Sequence, residues 1–551
     1  MEGLIIAVGG LLLVAAASAF APRLHVAAPL LLVVAGIAIS LLPFVPAVHV
    51  NPEWIIAGVL PPLLYSTSVS MPAMNFRREF NAIGGLSVVL VVISSVVLGI
   101  FFALIIPGLG IWWGIALGAI VSPTDAVATA IVKRVGVSGR VVSVLEGESL
   151  LNDATALVLL RSAIAGTAAS ITFWGVLGTF VYAVVVAGVL GYAVGRLNLW
   201  VRSKVSDATV NTVISFTVPF LASIPAELLG ASGLVAAVVA GLVTGHGAAR
   251  RLPPQHRQSD QQNWRMVELV LEGVIFLSMG LELFGIITEV QYRNDGLGPA
   301  IVIAVGALIL TLLVRAAYVA PLLAGLARRA RRFASARARI DGMKRTREGA
   351  RRTDDPGRVA RVATRTRRAL ADIDYLLAAP LGWREGGVLV WAGMRGAITL
   401  AAAQTLPAAA PDRAFLVLVA FVVAALSLLV QGGTLAMFVS WIKPAGPDVE
   451  SQNAQRAELL AMLTAIEQEI RAANPPVVET PTDTAVDAVL PPSRAFAARK
   501  RLTIEIIDAQ RTALLDARDD GTFDADVLNN ALDNLDADEI SIELKGAPVE
   551  R

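Results

Sequence analysis

The chain has 551 residues, 55% of them hydrophobic and only 16% charged, with no cysteine, and its mean hydropathy is +0.67. A soluble protein of this length needs more polar surface to cover its core, so the composition points to the bilayer. The missing cysteine excludes disulfides, thiolate metal sites and thiol nucleophiles together. A net charge of +2 hides an asymmetry, with basic residues crowded into particular connections and acidic residues into the C-terminal segment.

The N-terminus, MEGLIIAVGG, lacks the basic stretch that opens a secretory signal and reads as a retained first span. Each bilayer crossing needs about 20 largely apolar residues, and reading for such runs gives roughly thirteen. They lie near 3–21, 27–42, 52–66, 82–106, 111–132, 142–165, 172–196, 209–227, 231–246, 265–284, 298–326, 385–406 and 414–442. Basic connections follow every second span. They carry Arg77 and Arg78, then Lys133, Arg134 and Arg140, then Arg196, Arg202 and Lys204, then Arg250, Arg251, Arg257 and Arg265. After the eleventh span comes a stretch from Arg328 to Arg368 with sixteen Arg or Lys. The intervening connections, PGLG at 107–110 and GTAAS at 166–170, carry no charge. The positive-inside rule therefore places the N-terminus outside and the C-terminus in the cytoplasm of a multi-pass protein of the cell membrane. The basic loop, 327–384, reads as a topogenic linker that can also meet anionic lipid, and a loop held at the membrane face is not expected to bind nucleic acid.

A charge at mid-bilayer is costly, so an intramembrane carboxylate is a functional hypothesis by default. The fifth span carries Asp125 in SPTDAVATAIV, and the sixth carries Glu148 and Asp153 in EGESLLNDATALVLL. Asp125 lies 8 residues before Lys133, and Asp153 lies 13 after Arg140. At about 1.5 Å per residue these are depths of about 12 and 20 Å in a hydrocarbon core about 30 Å thick. The two aspartates come from adjacent antiparallel spans and can face each other. Ser149 and Asp153 are four apart and share a helix face. Pro123 removes a backbone donor and disfavours helix at Ser122, so carbonyls around Ser122–Thr124 are free to line a cavity. Hydroxyl, carboxylate and carbonyl oxygens suit a hard cation, and a transition metal is disfavoured. The alternative for both aspartates is to neutralise buried arginines. Arg315 and Arg395 are similarly deep, and each needs a carboxylate or a set of carbonyls; Glu148 is the natural partner for one of them, leaving Asp153 to titrate. Arg161, about two turns beyond Asp153, is expected to snorkel to the outer surface. Gly393 and Gly396 flank Arg395 and mark either close packing or an unwound helix. The small-residue run at 231–246 reads as helix packing.

With these residues in view, the chain resembles the monovalent cation:proton antiporters of the NhaP and eukaryotic Na+/H+ exchanger type. The pieces that carry the resemblance are LPPLLYSTSVSM (60–71), SPTDAVATAIV, GESLLNDA, the VRAAYV segment around Arg315 and WAGMRGAITLAAA, in order over about residues 1–445. The resemblance implies an all-α transmembrane domain of about thirteen helices with two inverted repeats of six helices. It also implies two crossed broken helices (SPTDAVATAIV and GMRGAITLAAA), a core that moves against a dimerisation domain, and a homodimer. By the same resemblance Na+ would be held by Asp153, Asp125, Ser149 and the Thr124 carbonyl, Glu148 would pair with Arg315, and Asn152 would mark electroneutral one-for-one exchange. The implied activity is secondary antiport of a monovalent cation, Na+ before Li+ or K+, against H+, with no enzymatic step and no cofactor beyond the transported ions. One carboxylate, Asp153, would hold either a cation or a proton while alternating access carries it across.

Two rivals remain open at this stage: K+/H+ exchange for K+ efflux, and a cation channel gated by the tail. A membrane enzyme has little support, since no His-Asp-Ser set, metal cluster or phosphate loop lies at membrane depth and the four histidines, His25, His49, His246 and His256, fall at span ends or in loops. Residues 446–551 read as a helical cytoplasmic tail, with helices over 450–473 and 493–518 around a Pro-rich linker at 474–492, and then an acidic stretch. DARDDGTFDADV fails as a Ca2+ loop, because Arg518 stands at its third ligand position and Val527 at its twelfth.

Overall fold

A computed structural model describes residues 2–24, 26–42, 51–168, 173–292, 297–347, 368–446 apart from 369, 374 and 378, 448–474 and 492–545. The described residues are helical throughout, without a strand. This is the arrangement that hydrocarbon demands, because a helix satisfies its own backbone donors and acceptors.

In chain order the helices are α1 (Glu2–Leu24), α2 (Ala28–Ser40), α3 (Leu60–Ser70, entered through a π-helical turn at Trp54–Val59), α4 (Ala73–Gly84) and α5 (Val91–Ile105). A second π turn at Gly85–Leu90 joins α4 to α5. Then come α6 (Ile111–Val121), α7 (Val127–Val135), α8 (Gly139–Ala168), α9 (Phe173–Arg202), α10 (Ala208–Leu228), α11 (Gly233–Arg251), α12 (Pro254–Tyr292) and α13 (Leu297–Arg347). The membrane part closes with α14 (Trp383–Trp391), α15 (Ala397–Gln404), α16 (Arg413–Ser427) and α17 (Gly433–Ile442). The C-terminal helices are α18 (Val449–Ala473), α19 (Pro492–Asp520) and α20 (Ala525–Glu543).

Among the described residues, eight helices are long and apolar enough to cross a bilayer. The other expected spans coincide with segments that miss this standard for visible reasons. α2, α6 and the stretch from Trp54 to Ser70 are apolar but short. α8 is 30 residues long but carries Arg140, Glu146, Glu148, Asp153 and Arg161. α14 and α15 are the two halves of an interrupted helix. The stretch from Arg328, expected to begin a loop, continues as helix to Arg347, because Ala and Arg are good helix formers and charge alone does not end a helix. Residues 348–367 of the basic loop and 475–491 of the Pro-rich linker lie outside the described residues.

The chain divides into two compact units: residues 1–248, 260–331 and 379–447, and residues 249–259, 332–378 and 448–551. In the first, packing between lipid-bathed helices gains little from the hydrophobic effect and depends on close contact and buried polar links. The small residues of α11 serve such contact, with Gly241 against Tyr65 and Ser68 of α3. Several loop arginines also prove structural. Arg140 pairs with Glu79 in a fully buried ion pair, and the equally buried Arg202 binds Asp260 and Asn211. In the second unit α18, α19 and α20 enclose a small core of Leu459, Ile507, Leu514, Phe523, Leu528 and Leu532. The α11–α12 connection belongs to this unit, through Arg250 with Asp516 and Asp519 and through Arg257 with Asp536.

Candidate functional site

Two helices stop in the middle of the first unit. α6 ends at Val121 and α7 begins at Val127, with Pro123 in the gap to forbid a continuous ladder. α14 ends at Trp391 and α15 begins at Ala397. The two gaps meet. The Asp125 backbone N–H donates to the Met394 carbonyl (2.7 Å), and the Asp125 carboxylate accepts from the Val127 N–H (2.8 Å).

Each glycine beside Arg395 is required by a neighbour. A Cβ on Gly393 would lie 2.5 Å from Nε of Arg315, and one on Gly396 would overlap the Asp125 carboxylate. The two readings left open for these glycines therefore hold together: the helix is unwound here, and its backbone is closely approached.

Interrupting a helix strands carbonyls that have lost their donors. Arg395 serves these for α6: its Nε donates to Val121 O (2.9 Å) and its Nη2 to Ser122 O (3.4 Å), while Nη1 reaches Gly393 O. A cation at a helix C-terminus also suits the macrodipole. Of the two choices open to it, Arg395 takes carbonyls. Its own N–H donates to Ser427 Oγ (2.9 Å), which fixes the second gap against α16.

Glu148 is instead the partner of Arg315, which holds both carboxylate oxygens, with Nη2 to Oε2 at 2.7 Å, and donates Nε to Leu389 O (2.8 Å). Thr124 Oγ1 donates to the same carboxylate (3.1 Å). Asn152 then clamps the first gap to α8: its Nδ2 donates to Thr124 O (2.9 Å) and contacts Thr124 Oγ1 (2.7 Å). The Thr124 carbonyl, expected to face an ion, thus already accepts one bond, which leaves its second lone pair. Among the described residues Asn152 Oδ1 is buried without a partner.

Asp153 differs from its neighbours. It lines a narrow, otherwise apolar crevice with Ala119, Ile120, Pro123, Leu157 and Ile398. Among the described residues no donor reaches its carboxylate, and its charge lies within electrostatic range of Asp125. Asn152, Asp153, Glu148, Arg315 and Arg395 are all at most 4% exposed. Ser149 is half-buried, one turn before Asp153, and spends its proton on Glu146 O (3.2 Å). Arg161, expected to snorkel, is 55% exposed and also pairs with Glu227 (2.8 Å).

The structure adds two carboxylates to the vicinity. Glu268 and Glu272 lie half-buried, one turn apart on α12. Ser66 of α3 donates to Glu268 (3.2 Å), and Glu272 is within electrostatic range of Glu268 and Asp125. Their sequence signal, carboxylates inside an apolar span, is the same one that marks Asp125. Among the described residues no cluster of His, Asp and Glu has the geometry of a metal centre.

The model of the transmembrane sodium/hydrogen exchanger family matches residues 9–441. The chain belongs to the sodium/hydrogen exchanger family. It is similar to the uncharacterised Na+/H+ exchanger YjcE of Escherichia coli, 34% identical over 252 residues that make up 44% of this chain and 45% of that one. The match therefore spans under half of that relative. It is also similar to the Na+/H+ antiporter ApNhaP of Aphanothece halophytica, 25% identical over 80% of this chain and 74% of that one. In fold it is similar to the sodium proton antiporter MjNhaP1 of Methanocaldococcus jannaschii, with a TM-score of 0.57 over 80% of this chain and 99% of that one at 17% identity. Membership of the family makes this an antiporter-type, multi-pass membrane protein.

Proposed function

We propose that the protein exchanges Na+ for H+, one for one, at Asp153. The observation that carries this reading is the contrast between two carboxylates five residues apart on α8. Glu148 is held by Arg315 at both oxygens and by Thr124, so it is committed to a fixed ion pair. Asp153 is as deeply buried and has no such partner among the described residues. A buried carboxylate without a countercharge must take up a cation or a proton, and a single site that takes either but not both is a coupled exchanger. The neutral Asn152 beside it adds no second titrating group, which favours one-for-one stoichiometry.

Asp125 and Ser149 supply further hard oxygens, and the Thr124 carbonyl keeps one lone pair for the ion. Glu268 and Glu272 give a cation an acidic approach along α12. The wider reading follows the family resemblance: thirteen membrane helices in two inverted repeats, alternating access and a homodimer. With it go an outside N-terminus and a cytoplasmic tail, in a transmembrane domain over 1–445 and a tail over 446–551.

The test is dissipation of a preformed ΔpH in everted vesicles on addition of Na+, Li+ or K+, with wild type and Asp153→Asn. Proton movement with Na+ in wild type and none in the variant is expected. Undiminished exchange by Asp153→Asn would remove Asp153 as the carrier, and a response to K+ alone would reassign the cation.

A further inference from the structure

α8 extends past the site. Arg161 stands eight residues beyond Asp153, about 12 Å along the axis, toward the end of the helix away from Arg140. There its Nη1 donates to Glu227 Oε2 (2.8 Å). Glu227 sits in the last turn of α10 and is itself oriented, because its other oxygen accepts from the Gly233 N–H at the start of α11 (3.1 Å).

The helices that carry the two charges differ in their main partners: α8 lies mainly on α6 and α4 and touches α9 and α3 more lightly, whereas α10 lies on α9 and α3. At this end α9 is tied to the α10–α11 turn: Tyr182 Oη donates to Leu229 O (3.0 Å) and the Ser232 N–H to Ala183 O (3.4 Å). Beside the ion pair runs a surface-open crevice of about 140 Å³. One wall is α8, through Val158, Arg161, Ser162 and Ala165, and the other is Thr179 and Ala183 of α9 with residues 230–232 of the turn. The ion pair therefore spans a seam between two helix groups, with a crevice beside it whose α8 wall begins at Val158, five residues along the helix from Asp153.

We propose that Arg161 and Glu227 form the outer gate of the exchange cycle, joined while Asp153 faces the cytoplasm and parted when it faces outside. This rests on the exchange reading above. The chemistry suits a gate better than a structural lock. The side chains are 55% and 40% exposed, and an exposed pair contributes little to stability, enough to bias two states and too little to block their exchange. The crevice is the space into which the seam opens, and its walls carry the hydroxyl residues Ser162, Thr179 and Ser232.

The absence of native cysteine permits a clean test on the full-length protein. Ser162→Cys is labelled in intact cells with a membrane-impermeant maleimide, alone and combined with Arg161→Gln, with Glu227→Gln, and with the charge swap Arg161→Glu/Glu227→Arg. Labelling two- to fivefold faster in both single-charge variants, slowed again by the swap, is expected. That rescue also excludes misfolding as the cause. Equal labelling in all backgrounds, or no slowing on the swap, would overturn the gate. The ΔpH assay on the same Ser162→Cys protein, with and without Asp153→Asn, separates the two ideas: exchange that survives Asp153→Asn defeats the exchange reading whatever the labelling shows.

Discussion

At the residue scale the site divides its charges by role. Glu148 and Arg315 form a buried pair whose desolvation is offset only while both members are present. Removing one leaves an uncompensated charge, typically at a cost of about 3–5 kcal/mol. Glu148→Gln should therefore lower the thermal unfolding midpoint of the purified protein in detergent, whereas Asp153→Asn, which removes a charge with no fixed partner, should leave the midpoint unchanged or raise it. A midpoint equally lowered by both substitutions would contradict this division. The burial of Asp153, Arg315 and Arg395 was legible beforehand from their depth along the helix, whereas the spacing that set Ser149 beside Asp153 did not show that its hydroxyl would donate to Glu146 O. The partners were less legible: Glu148 with Arg315 rested on resemblance, and nothing local said that Arg395 would serve the carbonyls of α6 or that Arg161 would find Glu227, 66 residues away.

At the element scale the decisive feature is the meeting of two interrupted helices. The first gap is written in Pro123. The second has no proline, and its glycines acquire meaning only when Asp125 and Arg315 arrive from elsewhere in the chain. A Cβ on Gly396 must displace the Asp125 carboxylate, whereas Gly84 on α4 has nothing within 4 Å of the same position. Gly396→Ala is thus expected to reduce Na+-driven proton flux at least tenfold, and Gly84→Ala to leave it within about a factor of two, since an open glycine position in a helix tolerates alanine. Flux measurements on the two variants, at matched amounts of protein in the membrane, decide it. Equal activity would mean that the close approach of the two gaps does not matter. The long basic helix at the end of α13 shows the opposite failure of reading. Its charge suggested a loop, yet its Ala and Arg content carries helix past the expected apolar span to Arg347.

At the scale of the whole molecule, the composition dictates a bilayer solvent, and that solvent dictates helices. Hydropathy alone finds the long spans but understates α8, because the residues that make α8 interesting are the charges that lower its hydropathy. The α11–α12 connection folding with the tail helices was not legible in the sequence, since its pairing of Arg250 and Arg257 with acidic residues beyond 515 is entirely long-range. For the molecule as a transporter, the central claim is that one carboxylate serves both ions. Its most direct test is the initial rate of Na+-driven proton efflux from proteoliposomes, measured as a function of Na+ concentration at a series of pH values. Competition at a single site predicts an apparent KM for Na+ that rises about tenfold per pH unit on the acid side, with the maximal rate nearly constant. An apparent KM independent of pH, with acidification acting only on the maximal rate, would contradict it.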